Sequence, residues 1–295
     1  MPAEAIATFE RLQKELPRRS PAAWRYWLLG AASRTGALVS DGLRIGHRRG
    51  FDSGPFMNYV YEDAPHGRTP LGAWLDRRLL ARPTCRAFRE IRVLARQAVL
   101  AAIDAAVQPE GSGTGGCTVA DLAAGPAPYL LDALAARPHA RALICDVDAA
   151  AVAQAGAAAD KLGVADRVTT RRADAFDVEQ LAALRPSPDV VVELGLYGIY
   201  HDDALIERHF IDLRETLAPD QIVCNVQVDN PEIEYIARVW RTRQGERCVW
   251  RLRPAEQILR YAAAAGYEPL SVEADSAGIY RVMRLGREGR AWAAS

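Results

Sequence analysis

TVADLAAGPAPYLLD, from Thr118 to Asp132, is the stretch that decides the fold of this 295-residue chain. A short apolar run ends at Asp121, small residues follow as far as Gly125, and a helical pattern begins near Tyr129. This pattern is typical of a strand, a tight turn and the start of a helix. Such a turn directs backbone N–H groups and the positive end of the helix dipole at whatever it holds. We therefore expect the turn to bind a ligand.

The glycine spacing in the turn narrows the class of ligand. The G-x-G-x-x-G signature of dinucleotide-binding turns is absent, because Ala123 and Ala127 stand where further glycines could be. A pyrophosphate approaches such a turn closely only where the backbone carries no side chain. A ligand without a diphosphate is therefore favoured.

Acidic and aromatic residues follow the next predicted strands, which cover 141–146 (RALICD), 168–172 and 188–193 (PDVVVE). Asp146 ends the second strand, where a carboxylate that binds a ribose diol is expected, although a cap of the helix from Ala149 is the alternative. A polar and aromatic corner, residues 173–176, follows the third strand and could flank an adenine ring. Ligands of open α/β sheets bind beyond the carboxyl ends of the strands, so we expect one site there.

These motifs, in this order, resemble those of the class I S-adenosylmethionine-dependent methyltransferases. The motif D/E-x-G-x-G-x-G appears as Asp121-x-Ala123-x-Gly125-x-Ala127. The resemblance implies an α/β protein with a doubly wound, Rossmann-like, seven-stranded sheet of the methyltransferase type, closed by an antiparallel pair of strands. It also implies S-adenosylmethionine as the cofactor. The residues expected to bind it are Asp121, Ala123, Gly125, Asp146, Asp174, Ala175, Phe176 and Glu193.

A narrower resemblance covers most of the chain. The sequence is similar to those of a bacterial group of methyltransferase-like proteins, some of which are fused to an α/β-hydrolase. Where those proteins carry Trp-His before a proline, this chain has Asp229-Asn230, and Gly198 replaces an acid, so a different substrate is expected. The matching segments are 51–54, 59–61, 67–72, 75–77, 195–197, Gln227, Pro231 and 234–238.

Composition sets limits on partners and location. Hydrophobic residues make up 49% of the chain, enough for a sizeable core. The 37 basic and 37 acidic residues balance, so nothing favours nucleic acid or an anionic membrane as a partner. The five cysteines form no C-x-x-C pair, which predicts neither a metal site nor a disulfide framework. The N-terminus lacks the pattern of a signal peptide or membrane span, so a cytoplasmic location is expected.

The hydrophobic periodicity predicts two domains. Residues 1–110 are expected to form an N-terminal helical cap that closes over the site as a lid, with helices over 3–16, from Pro21, and over 83–107. Between them, 42–70 is expected to be irregular around a short element at 56–61. The glycine-rich segment 111–116 is expected to be a flexible joint, and 117–295 the cofactor-binding domain with alternating strands and helices.

The candidate catalytic residues follow from the cofactor that the resemblance implies. A sulfonium cation is attracted to tyrosine faces, which makes Tyr197 a candidate. His201 is a candidate general base, with Asp203 as a second acid-base group beside it. The alternatives are that the tyrosines pack in the core and that Asp202 or Asp203 caps the following helix. Further candidates for substrate or lid contacts are Tyr59, Tyr61, Tyr200, Gln227 and Asn230.

Three functions fit these residues. The first is transfer of the S-methyl group to a small-molecule acceptor by in-line displacement, accelerated by positioning. The second, carried by a similarity to methyltransferase-like cyclases, is conversion of S-adenosylmethionine itself into azetidine-2-carboxylate and methylthioadenosine. The third is a non-catalytic cofactor-binding protein, since the glycine motif is degenerate. The sequence fixes neither the acceptor nor the oligomeric state.

Overall fold

The computed structural model describes residues 2–106 and 116–289, which fall into two compact units. The first comprises Met1–Glu90 and Val228–Leu252, and the second Ile91–Gln227 and Arg253–Ser295. This division differs from the predicted one. The second half of the helix from Pro83 packs into the sheet core through Ala95, Val99 and Ile103, whereas Ile233 and Ala237 pack against Leu12. Most of the predicted joint, 111–115, lies outside the described residues.

The first unit is helical, and its helix starts are encoded locally. The residue before each of α2 to α5 is a serine or threonine whose side chain accepts the N–H three residues further on. Such N-caps satisfy N–H groups that have no partner within the helix. The helices are α1 (Pro2–Gln13), α2 (Pro21–Gly36), α3 (Asp41–Arg49), α4 (Gly54–Glu62), α5 (Pro70–Leu80) and the start of α6 (Pro83–Ala106), with α12 (Ile233–Val239) following later in the chain.

The prediction of an irregular segment over 42–70 is wrong, because α3 and α4 occupy most of it. The short element predicted at 56–61 lies within α4. The caps of these helices, Ser40 and Ser53, were readable signals, but glycine and arginine obscured the helical period. The glycines serve close packing instead. A Cβ atom on Gly46 would lie 2.3 Å from the ring of Phe51, so only glycine lets that ring approach the helix.

The second unit contains one seven-stranded sheet in the order β3-β2-β1-β4-β5-β7-β6. The first five strands are parallel, β7 is antiparallel to β5, and β6 is antiparallel to β7. The predicted α/β fold, with its closing antiparallel pair, is confirmed. The strands are β1 (Cys117–Asp121), β2 (Ala140–Asp146), β3 (Val168–Arg172), β4 (Val190–Glu193), β5 (Gln221–Gln227), β6 (Tyr267–Ala274) and β7 (Tyr280–Arg287).

The helices of the second unit connect successive strands, as the predicted alternation of strands and helices requires. Asp148 caps α8 and Gly163 ends it in the left-handed conformation, as sequence rules for helix termini require. Among the described residues, no helix is both long and apolar enough to cross a bilayer. Besides the end of α6, the helices are α7 (Pro128–Ala136), α8 (Ala149–Leu162), α9 (Val178–Ala182), α10 (Leu196–Ile199), α11 (Asp203–Thr216) and α13 (Ala255–Ala264).

The sheet core is apolar on both faces. Every residue of β4 and β5 is buried, as expected for strands covered by helices on two sides. Cys117, Cys145 and Cys224, which lie in β1, β2 and β5, are buried and free. The core therefore fixes the carboxyl ends of β1 to β4 as a rigid edge, on which the candidate site is built.

Candidate functional site

The turn after β1 has the backbone of a ligand-binding turn although two of its glycines are missing. Gly125 has a φ of +53°, and Ala127, which stands in a glycine position of the motif, has a φ of +45°. A left-handed conformation costs a non-glycine residue about 1–2 kcal/mol. A Cβ atom on Gly125 would meet nothing within 4 Å, so the space beside the turn is open. Ala127 thus adopts a left-handed conformation that glycine would adopt without this cost.

Asp146 at the end of β2 connects two turns. Its Oδ2 accepts the N–H of Gly125 at 2.8 Å, and its Oδ1 accepts the N–H of Asp148, also at 2.8 Å. The helix cap of α8 is Asp148, whose Oδ1 accepts the N–H of Ala150. The capping alternative for Asp146 is therefore wrong, because a neighbouring aspartate fills that position. Asp146 holds the Gly125 turn in place and remains partly exposed.

Asp121 is fully buried at the end of β1. Its Oδ2 accepts the hydroxyl of Tyr129 at 2.5 Å, and within the described ranges its Oδ1 has no hydrogen-bond partner. Burial, with smaller contributions from the nearby carboxylates of Asp146 and Glu193, raises the pKa of this carboxyl to about 8, against the lowering effects of the Tyr129 hydroxyl and the Ala123 backbone. Asp121 is therefore largely protonated near neutral pH, and a cationic ligand bound beside it would favour its ionised form.

The corner after β3 is shaped by its own backbone contacts. Oδ1 of Asp174 accepts the N–H of Phe176 at 2.9 Å, and the amide oxygen of Gln180 accepts the N–H of Asp174 at 3.0 Å. Ala175 is buried. The ring of Phe176 lies 4.5 Å, centroid to centroid, from that of Tyr200. The structure thus brings together an aromatic pair at this corner, which the sequence alone did not connect.

Glu193 at the end of β4 belongs to a closed side-chain network. Its carboxylate accepts the hydroxyl of Tyr197 at 2.5 Å and lies 2.5 Å from Nε2 of His209. All three side chains are at most 1% exposed. The pKa of the Tyr197 phenol is raised well above its usual value by burial and by Glu193. His209 was not foreseen, although its spacing from Ile206 and Leu213 placed it on the buried side of α11.

The structure does not support the catalytic role predicted for Tyr197. A fully buried ring has no face open to a sulfonium, and its hydroxyl is already donated to Glu193. The packing alternative describes this residue, whose ring also lies 5.5 Å from that of Phe210. Tyr200, which is partly exposed, keeps a ring that a ligand could contact.

The acidic pair before α11 is also engaged in structural contacts. Oδ1 of Asp202 accepts the N–H groups of Ala204 and Leu205, so Asp202 caps the helix as the alternative proposed. Asp203 accepts Nε of Arg253 at 2.8 Å. A carboxylate paired with a guanidinium is a weak base, so a catalytic role for Asp203 is not supported. His201 is exposed and stays a candidate base.

Arg253 is the residue that sequence reasoning missed most completely. Its side chain is fully buried, and it donates to the carbonyl oxygens of Tyr197 and Tyr200 as well as to Asp203. It therefore holds the whole loop after β4. The arginine lies fifty residues after that loop, and no local pattern in the sequence links the two.

Gln227 is the last residue of β5 and carries a buried amide side chain. The residue is 2% exposed, and in the part of the chain that the structure describes neither atom of its amide has a hydrogen-bond partner. A buried polar group left unpaired costs about 1–3 kcal/mol. A ligand that hydrogen-bonds this amide would remove that cost, which agrees with the predicted substrate contact.

The candidates in the first unit have partners inside that unit. The hydroxyl of Tyr59 accepts the N–H of His66 at 3.3 Å, and Oδ1 of Asn230 accepts the N–H of Glu232 at 2.8 Å. Asn230 also hydrogen-bonds the hydroxyl of Thr84. Tyr61 is partly exposed on α4. Roles for these three candidates toward a substrate stay predictions.

Comparisons with known proteins agree with this architecture. A family model described as "Putative methyltransferase" matches residues 2–287. The chain is 30% identical over 270 residues to the uncharacterized protein YnbC of Escherichia coli strain K12, a match that covers 89% of this chain and 45% of that protein. The chain therefore spans about half the length of that relative.

Two solved structures are similar. One, from Bordetella parapertussis and described as a possible exported protein, has a TM-score of 0.69 and 20% identity, and the match covers 98% of this chain and 97% of that one. The other is magnesium protoporphyrin IX methyltransferase (ChlM) from Synechocystis PCC 6803 with bound SAH, with a TM-score of 0.53, 14% identity and coverage of 83% and 100%. These likenesses show the class I methyltransferase fold. Because the family model matches nearly the whole sequence, this chain belongs to that methyltransferase family.

Proposed function

We propose that this protein is an S-adenosylmethionine-dependent methyltransferase that acts on a small-molecule acceptor. One observation carries the proposal. Carboxyl groups stand at the carboxyl ends of β1 and β2 and shortly after β3, beside an open turn that Asp146 holds through the N–H of Gly125. Acids and an open turn suit a ligand that combines hydroxyl groups with positive charge.

The residues present fit S-adenosylmethionine. Each carboxylate oxygen of Asp146 accepts one backbone N–H, and since a carboxylate offers about four lone-pair sites, it retains capacity for the two hydroxyls of a ribose. Asp121 has an unused buried oxygen that would accept an ammonium hydrogen. Ala175 and Phe176 provide an apolar wall for a base. When bound, the cofactor supplies an activated methyl group.

The chain's own contribution is binding and positioning. The fixed edge of the sheet orients the ligand, and alignment of the reacting atoms provides a large part of the acceleration in such displacements. The amide of Gln227 would bond a polar group of the acceptor. His201 is the remaining candidate base, since Tyr197 and Asp203 are engaged elsewhere. The lid role of the N-terminal helices and the cytoplasmic location stay predictions.

The test begins with calorimetric titration of S-adenosylmethionine into the purified protein and into Asp146→Ala. We expect binding by the wild type and at least about tenfold weaker binding by the variant, which loses both the diol acceptor and the support of the Gly125 turn. Asp160→Ala, which removes an exposed carboxylate near the end of α8, is the matched control. The proposal fails if the wild type gives no heat or if both variants bind equally.

Mass spectrometry then separates the reactions. Adenosylhomocysteine that forms only when acceptor compounds are added supports methyl transfer. Methylthioadenosine together with a cyclic amino acid, formed from S-adenosylmethionine alone above its spontaneous breakdown, contradicts it and supports the cyclisation. Binding without either product supports the non-catalytic alternative.

A further inference from the structure

The first unit contains a second, differently charged cavity of about 250 Å³. Its basic lining residues are Arg34, Arg238, Arg241 and Arg247, which we call the arginine pocket, and its acidic lining residue is Glu15. Trp27 and Tyr26 provide aromatic surface beside them. Ligand pockets commonly measure roughly 300–1,000 Å³, so this cavity suits a small ligand.

Two of these arginines are held opposite each other by the backbone. Arg241 and Arg247 form an antiparallel bridge, closed by a turn in which the N–H of Gly245 donates to the carbonyl of Thr242 at 2.9 Å. Residues that face each other across such a pair have Cβ atoms about 4.5–5.5 Å apart, and like charges in that arrangement are destabilising. The hairpin therefore places two guanidinium groups together at an energetic cost.

A third guanidinium is buried in the same lining. The side chain of Arg238 is 5% exposed, and among the described residues its Nε has no hydrogen-bond partner. The ion-pair distance from this Nε to Glu234 is 4.0 Å, too long for a hydrogen bond. A buried N–H of a charged group is costly unless an acceptor reaches it. The other two nitrogens of this guanidinium donate to the carbonyls of Lys14 and Arg11, so its Nε–H is left for an acceptor that the described residues do not supply.

The pKa values of groups in and near the arginine pocket reflect an excess of positive charge. Burial lowers the pKa of Arg247, and the neighbouring guanidiniums of Arg238 and Arg241 lower it further. Burial likewise lowers the pKa of His47, followed in effect by Arg34 and Arg241. Glu15, which is exposed, raises the pKa of Arg247 only as the smallest contribution. The exposed carboxylate of Glu15 and the more distant one of Glu234, which pairs with Arg11 at 2.9 Å, do not balance four arginines.

We propose that the arginine pocket binds the phosphate or carboxylate group of a small organic anion whose apolar part rests on Trp27. Guanidinium groups match such oxyanions because their planar N–H forks form paired, charge-assisted hydrogen bonds. The ring of Trp27 is 58% exposed and offers a face for the rest of the molecule. This site lies entirely in the first unit and takes an anion, whereas the proposed cofactor site lies in the second unit and takes a cation.

The test uses the full chain and three probes: inorganic phosphate, phenyl phosphate and benzoate. Each is titrated calorimetrically at constant ionic strength set with sodium chloride, so that screening does not imitate binding. We expect saturable binding of phenyl phosphate or benzoate, with inorganic phosphate weaker than phenyl phosphate because it lacks the ring. Whichever of the two organic anions binds more tightly identifies the phosphate or the carboxylate as the preferred group.

Arg34→Gln is the main variant, because Arg34 is exposed on α2 and its replacement is compatible with folding. We expect it to weaken binding of the preferred anion at least about tenfold, since hydrogen bonds to charged groups contribute that much or more. Arg247→Gln should weaken binding similarly, although it also removes a bond to the Leu12 carbonyl. Arg19→Gln, an exposed arginine outside the pocket, is the control with the same change in net charge.

Three results would overturn the proposal. One is the absence of binding by all three probes at millimolar concentration. Another is binding that Arg34→Gln and Arg247→Gln leave unchanged. The third is an equal loss of binding in Arg19→Gln, which would show that net charge rather than the pocket attracts the anion. None of these results depends on S-adenosylmethionine binding, so the two sites are tested separately.

Discussion

The turn after β1 and the loop after β4 stand on the same edge of the sheet, and both begin with a buried acid, yet they are built differently. The turn after β1 is held through backbone N–H groups by Asp146, and the space beside Gly125 is open. The loop after β4 is held by buried side chains, with Glu193 bonded to Tyr197 and His209. The first arrangement leaves room and polar capacity for a ligand, whereas the second uses its polar groups for stability.

The largest effect is expected at the arginine that secures the loop after β4. Arg253→Gln should lower the free energy of unfolding by about 3–5 kcal/mol, because it leaves the buried carbonyls and the carboxylate of Asp203 without their charged donor. Arg260→Gln, on the exposed side of α13, should change it by less than about 0.5 kcal/mol. Urea denaturation measures both. If Arg253→Gln lowers the free energy of unfolding by less than about 1 kcal/mol, the proposed stabilising role of this arginine is contradicted.

The next effect concerns the buried acid at the start of the open turn. Because burial raises the pKa of Asp121 to about 8, the folded protein keeps a proton that the unfolded chain loses near pH 4. This group therefore contributes stability at low pH that is lost as pH rises from about 4 to about 8. Asp121→Asn has no such proton to lose.

The prediction for Asp121 is tested by comparing the unfolding free energies of wild type and Asp121→Asn across a range of pH. Relative to wild type, Asp121→Asn should gain about 3–4 kcal/mol of unfolding free energy between pH 5 and pH 8, since one unit of pH corresponds to at most about 1.4 kcal/mol for one proton. Urea denaturation across that range, without cofactor, measures it. A constant difference between the two proteins would show that Asp121 does not carry the proton.

A smaller effect on stability, without an effect on catalysis, is expected at Tyr197. Tyr197→Phe should lower the free energy of unfolding by about 1–2 kcal/mol, because one buried oxygen of Glu193 loses its donor. The KM for S-adenosylmethionine and kcat should stay within about twofold of wild type. A large fall in kcat without loss of stability would restore the catalytic role and contradict the distinction between the two regions.

The smallest expected change in stability concerns the glycines with positive φ, and it tests most directly whether the turn after β1 binds a ligand. Gly125→Ala and Gly163→Ala both replace a glycine with a positive φ beside open space, so each should cost about 1 kcal/mol of unfolding free energy. Only Gly125→Ala should weaken S-adenosylmethionine binding, by about tenfold, because only that turn borders the proposed site. Equal affinities in the two variants, measured by calorimetry, would remove the turn from the site.

Local signals predicted much of the fold and one part of the site. Buried strands, turns and caps were readable because they depend on neighbouring residues, as at Asp148 and Gly163. Asp121, Gly125 and Asp146 follow predicted strands and meet at one edge, because parallel strands align their carboxyl ends. The helix α3 was missed although Ser40 caps it, and α4, capped by Ser53, was predicted only as a short element at 56–61, since composition obscured their period.

What the sequence determined by itself is therefore the order of strands and helices, the family, and the acids at the ends of β1 to β4, all of which depend on short-range pattern and chain order. The tertiary structure alone decided how those groups are used. Arg253 reaches the loop after β4, and His209 reaches Glu193, only after distant segments have packed together. A side chain's availability to a ligand depends on its burial and its partners, and these are properties of the folded core rather than of neighbouring residues.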